Sequence, residues 1–444
     1  MLDRGDVTSV EEAEGRLRVL CVHFHIGAAE SRAYEHQAAL LTGVALARRV
    51  FVGGVFLSGS LDVPLIVPVS SCKTLREAVR ELGAIVGAVD DDLPMIYVGG
   101  PSRPRSRRVA VRTVCVGWRG GILPAHSRVE VNIEPTMPLA GALAASLAVN
   151  EVFLASNGEA PSAGMRSMGL SLWAPAARNW LSDDGAPTLA FLPSKLWLIG
   201  LGHLGQGYLW SLGLLPYGDA SQLELMLQDF DRTSVSTWST SILTPPPDEK
   251  TLSVVGTRKT RLTAAWAERR GFKTTICERR FSDRFHREHD EPSVALCGVD
   301  SAVARRSLDK VGFEFVVSAG LGSGHSDFRT IRLHTLPAER QADEIWRDIV
   351  SAPAAHMNSV YEPMVAAGIV DRCGAARLAE VAVGAPFVGG VAAALAISEV
   401  LRLLHGGIVN RVVDLDLTDL EHRTVVPQRY GLAQFNPGFV ACDS

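Results

Sequence analysis

Short apolar runs alternate with amphipathic or alanine-rich stretches along this chain, and the alternation is most regular after residue 195. Leu196-Trp197-Leu198-Ile199 is apolar throughout, the pattern of a strand buried on both faces. It predicts a strand that enters Gly200-Leu201-Gly202-His203-Leu204-Gly205 and then a helix over 206–215. A second hydrophobic strand starts at Leu225 and ends in acids, Asp229-Phe230-Asp231. A polar, Pro-rich loop spans 237–256, and a helix is expected over 259–270. Strands at 273–277 and 294–299, a helix over 302–310 and a strand at 314–318 complete the series. Residues 328–336 alternate like a half-exposed antiparallel strand, 338–380 are less regular, 386–404 read as a helix, and 411–417 with 423–426 form a closing hairpin. Such alternation predicts a mostly parallel sheet with helices on both faces.

The first part of the chain is also α/β in pattern. Strands are expected at 17–24, 51–56, 65–69, 95–98 and 109–116, and helices at 31–48 and 74–86. It has no glycine-rich turn of the same quality. Residues 1–16 are charged and expected to fray, and 155–190 read as a linker or capping segment. One repeat links the two parts. The stretch from Pro138 to Phe153 matches that from Pro386 to Leu401 without a gap, sharing a Pro, a Gly and a Glu. The fold class that follows is α/β, with two related Rossmann-like halves. The first, 1–185, is degenerate; the second, 186–444, is intact and carries a crossover segment at 338–385.

A chain of 444 residues suits two or three domains. Its net charge of −4 implies no polyanion-binding patch, and Arg103, Arg105, Arg107 and Arg108 read as a solvated turn, so no nucleic-acid partner is expected. The first residues are acidic and polar, unlike a signal peptide. The apolar run at 386–404 is broken by glycine, Ser398, Glu399 and Arg402, so no membrane span is expected either. The 7 cysteines are scattered with no C-x-x-C pair, which points to reduced thiols in the cytoplasm and away from a four-cysteine zinc site.

The candidate chemistry gathers at the carboxyl ends of the second half's strands, where open α/β sheets bind ligands. Gly200, Gly202 and Gly205 let backbone N–H groups approach a phosphate at a helix N-terminus. Asp229 and Asp231 end the next strand, where an acid can hydrogen-bond a ribose hydroxyl. The alternative is a structural turn that only packs a helix on a sheet. Lys259 opens a helix and can reach a polyphosphate as a point charge, or be a solvated first-turn lysine. Asp300 ends an apolar strand, where a carboxylate can hold Mg²⁺ or cap the helix at Ala302.

Over about 195–426 the chain resembles the E1-like, or ThiF/MoeB/HesA, superfamily, which adenylates the C-terminus of ubiquitin-like proteins. The resemblance rests on Gly200-Leu-Gly202-His-Leu-Gly205, Asp229-Phe-Asp231, Val255-Gly-Thr-Arg-Lys259, Asp300-Ser-Ala-Val-Ala-Arg305 and the helix opening at Pro386. It implies ATP and Mg²⁺ as cofactors, with Asp231 on the ribose, Lys259 on the phosphates and Asp300 on the metal. Ser31-Arg32-Ala-Tyr34-Glu-His-Gln37 resembles the family's arginine-bearing helix, so Arg32 is a candidate donor to the phosphates, or a surface arginine. Cys373, beside Arg372, resembles a thioester-forming cysteine, or is an inert loop thiol. Cys21, Cys277 and Cys297 read as core residues.

The implied partners are a ubiquitin-like protein and an E2-like carrier, in a bacterial conjugation pathway such as one of phage defence. Family members work as dimers or pseudodimers, and the repeat implies a pseudodimer within one chain, with a homodimer as the alternative. The chain departs from the family where Thr237-Trp-Ser-Thr240 replaces N-x-x-R, and in lacking the family's zinc cysteines. Three other readings stay open: an adenylating enzyme for a peptide or sulfur carrier that forms no thioester, a ThiF-like pseudoenzyme or scaffold, and an NAD-binding oxidoreductase.

Overall fold

The computed structural model describes residues 10–88, 91–100, 108–131, 137–246, 254–322, 327–347, 385–429 and 434–442. The chain divides into two compact units. Unit 1 comprises Met1–Thr188 with Pro386–Ala394 and Leu417–His422, and unit 2 comprises Leu189–Ala385, Leu395–Asp416 and Arg423–Ser444.

Unit 1 opens on α1 (Val10–Arg18), β1 (Cys21–Ile26), α2 (Tyr34–Ala47), β2 (Gly54–Gly59), α3 (Leu75–Glu81) and β3 (Ile85–Val86). It continues with β4 (Met95–Val98), β5 (Ala110–Val116), β6 (Arg119–Pro124), α4 (Pro138–Ser156) and β7 (Met168–Ser171). The strand order is β3-β2-β1-β4-β5-β6-β7. The first five are parallel, and β6 and β7 are antiparallel.

Unit 2 has the short β8 (Phe191–Pro193), then β9 (Lys195–Ile199), α5 (His203–Gly213), β10 (Glu224–Gln228), α6 (Lys259–Glu268) and β11 (Lys273–Cys277). Next come β12 (Val294–Cys297), α7 (Ala302–Arg305), β13 (Phe315–Leu321), β14 (Thr330–Leu336), α8 (Pro386–Leu404), β15 (Asn410–Asp416), β16 (Asp419–Pro427) and β17 (Phe439–Ala441), of which α8 up to Ala394 and β16 up to His422 count with unit 1. Its large sheet runs β11-β10-β9-β12-β13-β14-β15-β16. Strands β9 to β13 are parallel, and β14 and β15 are antiparallel. Read from its first strand, each sheet therefore has the same order and the same switch from parallel to antiparallel. β17 pairs with β8 in a separate two-stranded sheet.

The central strands β9, β12 and β13 of the unit 2 sheet are buried on both faces, which is why they are mostly apolar. Trp197 and Ile199 pack with Ala304, Leu308 and Trp346 on one face. Because side chains alternate, Leu196 and Leu198 point to the opposite face. In α5 and α6, Trp210 and Trp266 stand with ring centroids 6.4 Å apart. α4 and α8 are long and apolar enough to cross a membrane by length and composition, but 83% of each apolar window is buried in the protein. A helix apolar on all sides is a core helix in such a setting.

The two units share devices as well as topology. Gln37 and Gln206 are each the fourth residue of the helix after the first strand, and both are fully buried. Gln37 Nε2 donates to Ser31 O (2.8 Å) and Pro64 O (2.9 Å), and its Oε1 accepts from Ile66 N (2.9 Å). Gln206 Nε2 donates to Leu201 O (3.3 Å) and Thr244 Oγ1 (3.1 Å), and its Oε1 accepts from Leu243 N (2.9 Å). In both units one glutamine ties the turn after the first strand to the loop after the second.

The shared Glu of the helix repeat has a twin role too. Glu151 accepts from Gly164 N and Arg166 Nε, each at 2.9 Å, just ahead of β7. Glu399 accepts from Asn410 N (2.9 Å), the first residue of β15. Each buried carboxylate fixes the start of the strand that follows its helix.

Several local expectations give way. Residues 65–69 form a loop rather than a strand, because Pro64 precedes them, Pro68 lies among them and proline cannot donate to a ladder. β6 was not expected, since Gly120 and Gly121 weaken its strand signal. Packing demands both: a Cβ at Gly120 would lie 2.2 Å from Ala140 O of α4, and one at Gly121 2.7 Å from the Trp180 ring. β7 lies within the expected linker, and α1 runs from the end expected to fray into the strand expected from residue 17. The helix expected over 302–310 is regular only in α7.

Candidate functional site

In unit 2 the first strand ends at Ile199 and the chain turns at Gly200, which takes a left-handed φ of 84°. A side chain is also excluded there, because a Cβ would lie 2.9 Å from Val299 Cγ1. Gly205 is excluded on packing grounds: its Cβ would lie 2.0 Å from Gly200 O. These two glycines let α5 close onto the turn. Gly202 is different. It is the N-cap of α5, and among the described residues a Cβ there would meet nothing within 4 Å. The described residues thus leave room beside the N-terminus of this helix, a setting that favours an anion.

The acids at the end of β10 divide the labour. Asp229 is 8% exposed, and both of its oxygens are engaged with backbone. Oδ2 accepts from Leu201 N and Oδ1 from Asp231 N, each at 2.7 Å. Asp229 therefore braces the glycine turn. Asp231 is the acid left facing solvent, its side chain 40% exposed.

Lys259 is delivered by a short backbone ladder. Thr233 N donates to Thr257 O and Gly256 N to Thr233 O, each at 2.8 Å, and Lys259 N donates to Asp231 O at 3.0 Å. Its stem is buried and its ammonium donates to Asp231 Oδ2 at 3.0 Å. Around this pair, Arg232 donates to Gly256 O (2.7 Å), Arg258 donates to Phe230 O, and the Arg280 guanidinium lies 4.0 Å from the Phe230 ring centroid.

Asp300 follows β12 and is exposed. It does not cap the next helix. Ser301 does, accepting from Ala304 N at 3.3 Å. Arg305 donates twice to Val299 O (3.0 and 2.7 Å) and once to Ala319 O (2.9 Å), so it fixes the strand end that carries Asp300. Thr237 and Thr240 stand where the family has its Asn and Arg. Thr237 is buried and its Oγ1 accepts from Ser234 N (2.9 Å), capping its own turn.

The remaining candidates are Arg32 and the cysteines. Arg32 is exposed, in a single 3-10 turn between β1 and α2 of unit 1. Cys373 lies outside the described residues. Cys297 is fully buried, and burial raises its thiol pKa; Cys21 and Cys277 are only half-buried, contrary to the expectation of core cysteines. Sequence reading missed Gln206 and the bracing role of Asp229. A lone glutamine carries no periodic or motif signal, and two acids in D-x-D look equivalent until their partners are known.

Two doubly wound units, the second with a strand–glycine turn–helix and paired strand-end acids, define an E1-like layout. Two family profiles match: that of the BilD N-terminal domain over residues 21–172 and that of the BilD C-terminal domain over 192–407. The Bacterial E1-like protein BilD of Collimonas sp. (strain OK412) is 42% identical over 410 residues, 91% of this chain and 87% of that one. Among solved structures, TcdA (CsdL) has a TM-score of 0.30 and 13% identity, covering 48% of this chain and 86% of that one. E. coli tRNA N6-threonylcarbamoyladenosine dehydratase, TcdA, has a TM-score of 0.32 and 14% identity over the same shares, 48% and 86%. The chain belongs to the BilD family of bacterial E1-like proteins.

Proposed function

We propose that this chain is an E1-like activating enzyme that adenylates the C-terminal carboxylate of a ubiquitin-like protein in unit 2. The observation that carries the reading is the open N-terminus of α5 at Gly202 in the unit that also holds the Asp231–Lys259 pair, 3.0 Å apart. ATP phosphates would lie against the α5 N-terminus, the ribose against Asp231, and the Lys259 ammonium would turn to phosphate oxygens. The protein carboxylate attacks the α-phosphorus, the bond to the bridging oxygen breaks, and pyrophosphate leaves with that electron pair. The Cys373 thiolate then attacks the acyl carbonyl, the bond from that carbon to the phosphate oxygen breaks, AMP leaves with that electron pair, and an E2-like carrier accepts the acyl group from the thioester.

Asp300 fits a magnesium site of the kind that uses one carboxylate and takes its other oxygens from phosphate and water. Among the described residues there is no group of three or more His, Cys, Asp or Glu side chains to hold a metal. Bound there, Mg²⁺ would neutralise charge on the phosphates. Arg32 remains a candidate donor to those phosphates.

One observation favours a second reading, a scaffold without turnover. Thr237 is spent on its own turn, and Thr240 brings no positive charge in place of arginine. ATP–pyrophosphate exchange with candidate ubiquitin-like proteins decides between them. Exchange that requires both the partner's free C-terminus and Mg²⁺ is expected. ATP binding without exchange for any partner would overturn adenylation and leave the scaffold.

A further inference from the structure

The turn after the first strand differs between the two units. Three residues, 200–202, separate β9 from α5, whereas seven, 27–33, separate β1 from α2. Both first strands lie between the second and fourth strands of their sheets. That is the switch point, and its crevice opens at the carboxyl ends of the first and fourth strands. In unit 2 those ends, Gly200 and Val299, close on each other, and among the described residues nothing lies within 4 Å of a Cβ at Gly202.

In unit 1 the extra residues bring Glu30 into the crevice. A Cβ at Gly27, just past β1, would lie 2.2 Å from Glu30 Oε2. A Cβ at Gly100, just past β4, would lie 2.3 Å from Glu30 Oε1, and one at Gly99 2.8 Å from Glu30 Cγ. One carboxylate thus spans both strand ends. Gly27 is not among the residues with positive φ, so its backbone does not demand glycine. The room its missing side chain leaves is taken by Glu30. Beyond it lies His36, whose Nε2 would be 2.7 Å from a Cβ at Gly99. Burial lowers the pKa of that imidazole, against the opposing charges of Glu35 and Glu30.

The rest of the unit 1 site is kept. Asp62 lies three residues past β2, as Asp231 lies three past β10. It pairs with Arg76 at the start of α3 through contacts of 2.6 and 2.7 Å, as Asp231 pairs with Lys259 at the start of α6. Gln37 ties the turn as Gln206 does.

We propose that Glu30 is a built-in ligand: its carboxylate occupies the oxyanion position of unit 1 and keeps this half from binding the phosphate of a nucleotide. The proposal rests on reading the Gly200 turn as a phosphate site. Without Glu30, unit 1 would accept a phosphate oxyanion of the class that unit 2 takes.

The test uses the full chain with Glu30→Ala, and with Glu30→Asp as the milder variant, titrated calorimetrically with inorganic phosphate and with ATP. The parent should bind one ATP and Glu30→Ala two, with phosphate binding at least tenfold tighter than in the parent. A folded variant that binds both probes as the parent does overturns the proposal. A parent that binds no ATP overturns the reading of the Gly200 turn, while the variant's phosphate titration still decides this one. A second arm needs no binding. Gly27→Ala should lower the melting temperature of the parent by roughly 2–6 °C, and by less than a third of that in Glu30→Ala or Glu30→Asp. Equal losses in all backgrounds would put the carboxylate elsewhere and overturn the proposal.

Discussion

Asp229 and Asp231 stand two residues apart at the same strand end, and substitution should separate them. Removing the Asp229 carboxylate strands two backbone N–H groups, those of Leu201 and Asp231, in a site only 8% exposed. Each such loss costs about 1–3 kcal/mol, so Asp229→Ala should lower the denaturation midpoint in urea. Asp231 is 40% exposed, and an ion pair that open contributes about 1 kcal/mol or less to the fold. Asp231→Ala should therefore leave the urea curve nearly unchanged and weaken ATP binding by about 1–3 kcal/mol in calorimetry. The reverse ranking would mean that Asp229 is the nucleotide acid. Sequence shows both acids and their strand end. It cannot show that one of them is consumed by the turn, because that depends on which backbone N–H groups the fold leaves nearby.

At the scale of elements, the helix repeat was readable because its Pro, Gly and Glu each answer a packing need. Proline opens both α4 and α8, where its missing N–H is no loss. Gly141 lets α4 cross the backbone of α2, since a Cβ would lie 2.3 Å from Glu35 O. The glutamates differ in their counterions. Arg402 and Glu399 are both fully buried and in contact, whereas Arg166, the partner of Glu151, is 25% exposed. Removing one member of a fully buried pair costs about 3–5 kcal/mol. Glu399→Ala should thus approach that loss in urea denaturation, and Glu151→Ala should cost less, because Arg166 can turn to water. Equal losses would show that the strand-start hydrogen bonds, not the arginines, set the cost. β6 and β7 were illegible for the opposite reason: their glycines serve neighbours distant in sequence, and read locally as turns.

β14 carries a pH-dependent contribution. His334 stacks edge-on to Trp346 at 5.5 Å, and its pKa falls to about 4, chiefly by burial and further by Arg332, Arg305 and Arg411, with Asp414 opposing. The folded state therefore binds this proton less readily than the unfolded chain, whose histidine titrates near 6.5. Stability from the neutral ring is fully present above about pH 6.5 and is lost as pH falls towards 4, by roughly 2–3 kcal/mol. Urea denaturation of His334→Gln should show a shallower fall between pH 6.5 and 4 than the parent. Parallel pH profiles would place the acid sensitivity elsewhere.

For the whole molecule, what sequence conveyed well was order: strands and helices alternating twice, with the second pass carrying glycines and acids where a nucleotide could use them. Twin devices such as Gln37 and Gln206 emerge only when the two passes are folded, since neither residue repeats at the offset of the helix match. The reaction proposed for the chain has two stages, and they should be separable. In that proposal adenylation would need the α5 N-terminus, Asp231, Lys259 and Asp300, whereas acyl transfer would need a nucleophile that reaches the adenylate carbonyl, to about 3–3.5 Å for attack. Cys373 lies in the stretch of sequence between β14 and α8, and a cation such as the adjoining Arg372 would favour a thiolate. The buried Cys297, with its raised pKa, is a poor alternative. Cys373→Ala should keep ATP–pyrophosphate exchange at the parent rate and lose the adduct with the ubiquitin-like partner that reducing agent cleaves on a gel. An adduct that survives in Cys373→Ala would move the nucleophile to another cysteine. A parent that exchanges pyrophosphate yet never forms the adduct would make the enzyme one that hands its adenylate directly to an acceptor, as for a peptide or sulfur carrier.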